Sequence, residues 1–229
     1  PARPQPVRRT AVGWSSLAAA DRTSGNPGLP DRLATLPRLA AGGHSPLAAF
    51  TEIVNHPVGA FAAACRDLSD RLAAPFGTGG PRIVLVASAR PGEGRSTVAA
   101  GLAMTAALAG ERVLLVDGDT RRASLAAAIN PAAAAGIADL ADGRADFEEV
   151  AVHDPESGLV FAPLAASDAG PLDWSRGLAA VRVLAREARG YGLVVVDSAP
   201  VLTDASARLL ADAADQVVLV SAEPAVPGR

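Results

Sequence analysis

The sequence predicts an α/β fold in which a mostly parallel sheet is covered by helices on both faces. Short runs of β-branched and aliphatic residues recur from residue 83 onward, at Ile83–Ala87, Val113–Val116, Leu193–Val196 and Gln216–Val220. Most of these runs are continuously apolar rather than alternating, as strands buried on both faces are. Helical stretches separate them, which is the order of strand–helix–strand units with parallel strands.

Taken in order, residues 1–49 are rich in Pro, Gly, Arg and Ser without sustained periodicity. Such a segment cannot bury enough apolar surface to order itself, so it is expected to be mostly disordered, with a short helix near Asp31–Ala41. Residues 50–229 are expected to form the ordered domain. Its first clear helix lies within His56–Ala73, where Phe61, Cys65, Leu68 and Leu72 share one helical face. Gly77–Pro81 breaks it. The strand Ile83–Ala87 follows, then a Gly-containing turn and a helix over Ser96–Ala109. Val113–Val116 is the second strand, and Gly158–Pro163 holds a third. A helix near Leu172–Arg189 is expected to turn Trp174, Leu178, Val181, Leu184 and Ala188 inward and Arg176, Arg182, Arg186 and Arg189 outward. The strand Leu193–Val196, a helix near Asp204–Ala213 and the strand Gln216–Val220 complete the domain. There is no internal repeat.

Composition narrows the function. With 49% apolar and 3% aromatic residues, the core must be built mainly from Ala, Leu and Val. A net charge of −3 does not describe a nucleic-acid surface. The charge is uneven: residues 1–50 carry six Arg and two Asp, a net of +4, leaving −7 over the rest. That basic stretch could touch acidic lipid or a partner, or be a mildly basic Pro-rich tail. Cys65 is the single cysteine, so no disulfide forms within the chain, in keeping with a reducing cytosol. No segment reaches the ~18 uninterrupted apolar residues of a membrane span, and Arg3, Arg8 and Arg9 have no apolar stretch behind them to make a secretory signal. The expectation is a soluble protein, with any membrane association coming through a partner. His44, His56 and His153 lack metal-ligand spacing. All 21 Lys-plus-Arg residues are Arg.

The strongest local signal is Ser88-Ala89-Arg90-Pro91-Gly92-Glu93-Gly94-Arg95-Ser96-Thr97, which follows a buried strand and opens a helix. In that context backbone amides converge on a phosphate, and the helix N-terminus adds partial positive charge. Gly92 and Gly94 permit close approach, Ser96 stands where a hydroxyl would ligate Mg2+, and Thr97 can bond a second phosphate. Against the pattern G-x-x-x-x-G-K-[ST], Ala89 replaces the first Gly and Arg95 the Lys. A plain Gly-rich strand-to-helix turn is the competing reading. Two further sites weigh against it: Val116-Asp117-Gly118-Asp119-Thr120-Arg121 and Val196-Asp197-Ser198-Ala199-Pro200, each ending a strand. Acids past the C-terminal ends of parallel strands lie on the ligand edge of an open sheet, facing the same Mg2+. Together these make the fold a P-loop NTPase with a deviant Walker A loop.

Over about residues 55–222 the chain resembles the bacterial tyrosine kinases, the cytoplasmic ATPase domains of polysaccharide co-polymerases. Pro91–Thr97 corresponds to Walker A, Asp117-Gly118-Asp119-Thr120-Arg121 to the D-x-D-x-R motif called Walker A′, and Val196–Pro200 to Walker B; the segment Pro163–Trp174 is also similar. The resemblance implies ATP or ADP with Mg2+ bound by Pro91, Gly92, Glu93, Gly94, Arg95, Ser96, Thr97 and Arg121. It implies metal held by Ser96, Asp117 and Asp197, and catalysis by Arg95, Asp117, Asp119 and Asp197, with Asp117 as general base. Arg121 would support the acidic cluster or contact a neighbouring subunit. Asp204, after Walker B, is read as a helix N-cap with Thr203. The implied partner is an inner-membrane polysaccharide co-polymerase in exopolysaccharide or capsule synthesis or export.

Three departures qualify this. Arg95 replaces a lysine that acts as a compact point charge, and Arg is larger, planar and forked. The family's E-x-x-R-x-x-R helix, used for ring assembly, survives only at Arg66 among Ala63, Arg66 and Ser69, which puts ring formation in doubt and leaves self-association of another kind open. The C-terminal tyrosine cluster is missing, Tyr191 being the single tyrosine, so either a C-terminal piece is absent or none existed. The expected readings are thus a weak kinase or ATPase, or a pseudokinase in which nucleotide holds a conformation. The alternative is a partitioning or positioning dimeric P-loop ATPase, whose signature Lys would fall where this chain has Arg90.

Overall fold

The computed structural model describes residues 8–15, 32–39, 46–73, 81–165, 174–204 and 206–222. In chain order the elements are β1 (Arg8–Ser15), β2 (Arg32–Pro37), α1 (Pro46–Asn55), α2 (Ala60–Ala73), β3 (Arg82–Ser88), α3 (Arg95–Leu108), β4 (Val113–Asp117), α4 (Ser124–Ile129), α5 (Ile137–Ala141), α6 (Phe147–Val150), β5 (Val152–His153), β6 (Val160–Pro163), α7 (Trp174–Glu187), a 3-10 turn (Ala188–Gly190), β7 (Leu193–Asp197), α8 (Ser206–Ala213) and β8 (Gln216–Ala222). The strands form one sheet in the order β2-β1-β8-β3-β7-β4-β6-β5. Every neighbouring pair is parallel except β5 with β6.

The continuous apolar runs have the physical origin expected of them. In β3, Val84 and Val86 face one layer while Ile83 and Leu85 face the other; in β4, Val113 and Leu115 oppose Leu114 and Val116; in β7, Leu193 and Val195 oppose Val194 and Val196. Residues alternate sides along each strand, so a strand must be apolar throughout to satisfy both layers. One layer is α1–α4 and the other α5–α8.

Helix α3 is buried along most of its length and rich in alanine. Small side chains let it lie close to the sheet on one side and to α2 on the other. The approach is tightest at Gly101, where a Cβ would stand 2.9 Å from Cys65 Sγ and 3.1 Å from the Phe61 ring. The face predicted for α2 is the buried one: Phe61, Cys65, Leu68 and Leu72 are all within the core.

Burial pushes the Cys65 thiol up from 9.0 to about 12. Because the folded value lies above the unfolded one, the stabilising contribution is complete below pH 9 and lost as pH rises towards 12. With no Lys in the chain, Cys65 and Tyr191, itself pushed upward by burial, are the only side chains apart from Arg that titrate there. The melting temperature should therefore fall more steeply above pH 9 in the wild type than in Cys65→Ala, and parallel curves would contradict the assignment.

Several expectations need correction. Residues 32–37 form a strand and not part of a short helix, and 8–15 form another where no regular structure is expected. β1 pairs along β8 from Arg8↔Gln216 to Trp14↔Ala222, satisfying backbone groups that an open edge would leave unpaired. Pro46–Asn55, α4, α5, α6 and β5 are elements the apolar pattern does not announce. In α7, Leu178 is exposed rather than inward, and Arg176 is partly buried rather than outward, bonded to Asp142 at 3.0 Å and Asp139 at 3.4 Å. Val181, Leu184 and Ala188 are buried as expected. Leu172, most of Pro163–Trp174, most of the Gly77–Pro81 break and the chain after Ala222 lie outside the described residues, as does the Trp174 side chain. Among the described residues no helix is long and apolar enough to cross a membrane.

Candidate functional site

The strand C-termini build the site. β3, β7 and β4 are consecutive in the sheet, with Val86 in register with Asp197 and Asp197 in register with Asp117. Parallel neighbours run about 4.8 Å apart, so Asp117 and Asp197, each the last residue of its strand, stand side by side on the edge where β3 delivers its loop. The Gly118 amide donates to the Asp197 carbonyl at 2.7 Å, and the Ser198 amide to the Val86 carbonyl at 3.1 Å, fixing the three strand exits together.

Between β3 and α3 the loop turns through Gly92 (φ 82°) and Gly94 (φ 87°), left-handed conformations that other residues adopt at a cost. Glu93 Oε2 accepts the Arg90 amide at 2.7 Å, and Ser88 Oγ donates to the Arg90 carbonyl at 3.0 Å, so the loop holds itself without a cap on α3. The first amides of that 14-residue helix are left for a ligand or solvent.

Arg95 opens α3, and its side chain turns back into the acids. Its Nε donates to Asp197 Oδ1 at 2.7 Å, one terminal nitrogen to Asp119 Oδ2 at 2.8 Å and the other to Ser88 Oγ at 3.1 Å. All four residues are buried. Asp119 is held in turn: its Oδ1 accepts the amides of Arg121 and Arg122 at 3.3 and 3.2 Å. Asp117 accepts two backbone amides, Asp119 N on Oδ1 at 3.1 Å and Ala126 N on Oδ2 at 2.8 Å, which moors the start of α4 to the end of β4. Ser96 Oγ meets Ser124 Oγ at 2.9 Å.

Burial, and then the neighbouring Asp197 charge, push Asp117 from 3.8 up to about 7. Asp197 is also pushed upward, because full burial outweighs the attraction of Arg95 beside it. One of its oxygens, Oδ2, is buried with no hydrogen-bond partner among the described residues.

No family model matches the chain. It is 32% identical over 158 residues to the putative tyrosine-protein kinase EpsB of Ralstonia solanacearum, covering 69% of this chain and 21% of EpsB. It is 31% identical over 153 residues to the succinoglycan biosynthesis transport protein ExoP of Rhizobium meliloti, covering 65% of this chain and 19% of ExoP. The kinase domain of the Escherichia coli tyrosine kinase ETK superposes with a TM-score of 0.64 at 21% identity, over 77% of this chain and 69% of that one, which establishes the fold. The chain is a relative of the bacterial tyrosine kinases. It spans about a fifth of the length of these two curated relatives.

Within this bacterial tyrosine kinase relative, the fold unites Arg95, Asp119 and Asp197, with Asp117 on the neighbouring strand and Ser96 in the next position of α3. Of the two roles expected of Arg121, support of the cluster or contact with a neighbouring subunit, its side chain does not take the first within this chain. It is exposed and bonds Asp204 Oδ2 at 2.6 Å, while only its backbone amide serves Asp119. Asp204 caps α8 as expected, its Oδ1 accepting the Ser206 amide at 2.7 Å, but Thr203 bonds the Pro200 carbonyl instead. Arg66, the surviving position of the assembly helix, donates to the Pro57 carbonyl of its own chain at 2.5 Å. Sequence reasoning missed Ser88 and Ser124. Neither carries a spacing signal; Ser124 follows Ala123, whose φ of 43° is the one positive value outside glycine among the described residues.

The residues fit the nucleotide and metal that the fold implies. A Cβ at Gly92 would meet nothing within 4 Å, so the loop's outer face is open to a phosphate chain. Ser96, Asp117 and Asp197 are the hard oxygen donors that Mg2+ takes, and the partnerless Asp197 oxygen is the kind of atom a cation satisfies. Two acids and one hydroxyl would leave the remaining Mg2+ positions to water and phosphate.

Proposed function

We propose that this chain is an ATP-binding domain of the bacterial tyrosine kinase type, acting at the cytoplasmic face of the inner membrane with a polysaccharide co-polymerase. Its role is in exopolysaccharide or capsule synthesis or export. The observation that carries the reading is the convergence of a two-glycine loop, a helix N-terminus and two buried in-register acids at the C-terminal ends of β3, β4 and β7. EpsB supports the kinase side by its printed name and ExoP the polysaccharide side.

In this reading the backbone N–H groups of residues 92–97 bind the phosphate chain and Thr97 adds a hydroxyl. Ser96, Asp117 and Asp197 hold Mg2+, which would neutralise charge building on the phosphates. Burial and the Asp197 charge push metal-free Asp117 up to about 7, so metal binding at neutral pH would release a proton from it. The engagement of Arg95 by Asp119 and Asp197 favours a version in which nucleotide acts chiefly as a conformational signal, the pseudokinase reading, since the guanidinium faces acids rather than the loop's open side.

Calorimetric titration of the purified chain with ADP and with ATP, with and without Mg2+, tests this. Saturable binding that tightens with Mg2+ is expected. Absence of binding at millimolar nucleotide with Mg2+ present would sink the nucleotide reading.

A further inference from the structure

We propose that Arg95 is a built-in counter-cation, bound to Asp119 and Asp197, which competes with the divalent metal for Asp197 so that the metal enters only as the guanidinium leaves. The inference rests on the nucleotide reading only in its final step.

The guanidinium uses all three of its nitrogens on three different structural supports: Ser88 at the end of β3, Asp119 beyond β4 and Asp197 at the end of β7. It is 7% exposed, against 1% for Asp119 and none for Asp197. A planar fork can bridge two acids at once, which a lysine ammonium, a single point of charge, does less well. The bridge holds together carboxylates that would repel one another if left bare beside Asp117. It therefore supplies the charge neutralisation that a bound divalent cation would otherwise supply. The partnerless Oδ2 of fully buried Asp197 marks the same acid as able to accept one more cationic or hydrogen-bonding group. Ser96 shows a parallel engagement, its hydroxyl being paired with Ser124.

Two positive groups cannot share Asp197 without repelling each other. A metal held at Asp197 would weaken the Arg95 ion pair there, and a bound phosphate chain would offer the released guanidinium another anion. Metal and nucleotide are therefore linked: each favours the state in which Arg95 has left the acids. Without metal, Arg95 stays with the carboxylates, and residue 95 contributes no charge to phosphate binding.

The test uses metal alone. Mn2+ binding is followed by loss of the free-ion electron paramagnetic resonance signal, at fixed ionic strength, in the wild type, Arg95→Met and Arg95→Lys. Arg95→Met should bind Mn2+ about 10–100-fold more tightly than the wild type, the scale on which neighbouring groups tune metal sites, with Arg95→Lys between them. In parallel, MgCl2 should raise the melting temperature of Arg95→Met by about 4 °C or more beyond any rise in the wild type, relative to matched NaCl. Equal Mn2+ affinity in wild type and Arg95→Lys, together with no excess Mg2+ stabilisation of Arg95→Met, would overturn the proposal. If Arg95→Met does not fold without metal, the Arg95→Lys comparison decides alone. An ADP titration on the same samples separates the two readings: metal competition without ADP binding removes the nucleotide reading and leaves this one, and ADP binding with equal Mn2+ affinities does the reverse.

Discussion

Arg95→Met should cost the fold about 3–5 kcal/mol in metal-free buffer near neutral pH, the range for removing one partner of a buried ion pair. The wild-type side chain satisfies Asp119, Asp197 and Ser88 together. Methionine fills much of its volume but leaves two buried acids with no counter-charge. Those acids have one escape, which is to take up protons. The deficit should therefore shrink as pH is lowered, a trend that loss of packing alone would not produce. Urea denaturation of wild type and variant across a pH series measures it. A deficit under about 1 kcal/mol, the scale of an exposed pair, would show that the guanidinium is not the element holding the strand ends together. Pairing the substitution with Asp197→Asn should recover part of the loss, because removing both charges relieves what removing one creates.

The same side chain marks where sequence reasoning stops. β3, β4 and β7 are legible because a strand buried on both faces must be apolar at every position, and Val and Leu at 83–87, 113–116 and 193–196 satisfy that rule locally. The Gly92–Gly94 loop and the acids at 117, 119 and 197 are legible because phosphate and metal chemistry demand those residue types at strand ends. Short elements such as α4 and α6 are too brief to show a period. β1 is not legible because its apolar residues are few and its inner neighbour in the sheet, β8, comes from the far end of the described chain; pairing with β8 and β2 decides it, not local propensity. Leu178 and Arg176 exchange their expected exposures because Asp139 and Asp142 on the α5 side draw the guanidinium inward. For Arg95, residue type announces a positive charge near phosphate. Which anion that charge serves depends on Asp119 and Asp197, distant in sequence, meeting at one point.

Asp117 separates into two roles that substitution can pull apart. Its carboxylate accepts the buried amides of Asp119 and Ala126, so Asp117→Ala should orphan both, at roughly 1–3 kcal/mol for each. Asp117→Asn keeps one acceptor and turns an amide group toward the other donor, and should cost about half as much. The sign of the pH dependence follows from the raised value: the contribution of Asp117 to stability is complete below 3.8 and lost as pH rises through about 7. The deficit of Asp117→Ala should therefore be largest in acid and diminish towards pH 8, where the wild type itself bears an ionised carboxylate beside Asp197. Chemical denaturation at several pH values reads this directly, and a deficit that grows with pH would contradict it. A base role adds a separate signature. Whatever phosphoryl transfer the wild type shows should fall in Asp117→Asn by about 10²–10⁴-fold, far beyond the change in folded fraction. If turnover follows the folded fraction alone, Asp117 is a mooring for Asp119 and α4, and its influence on nucleotide chemistry passes through the position of Arg95.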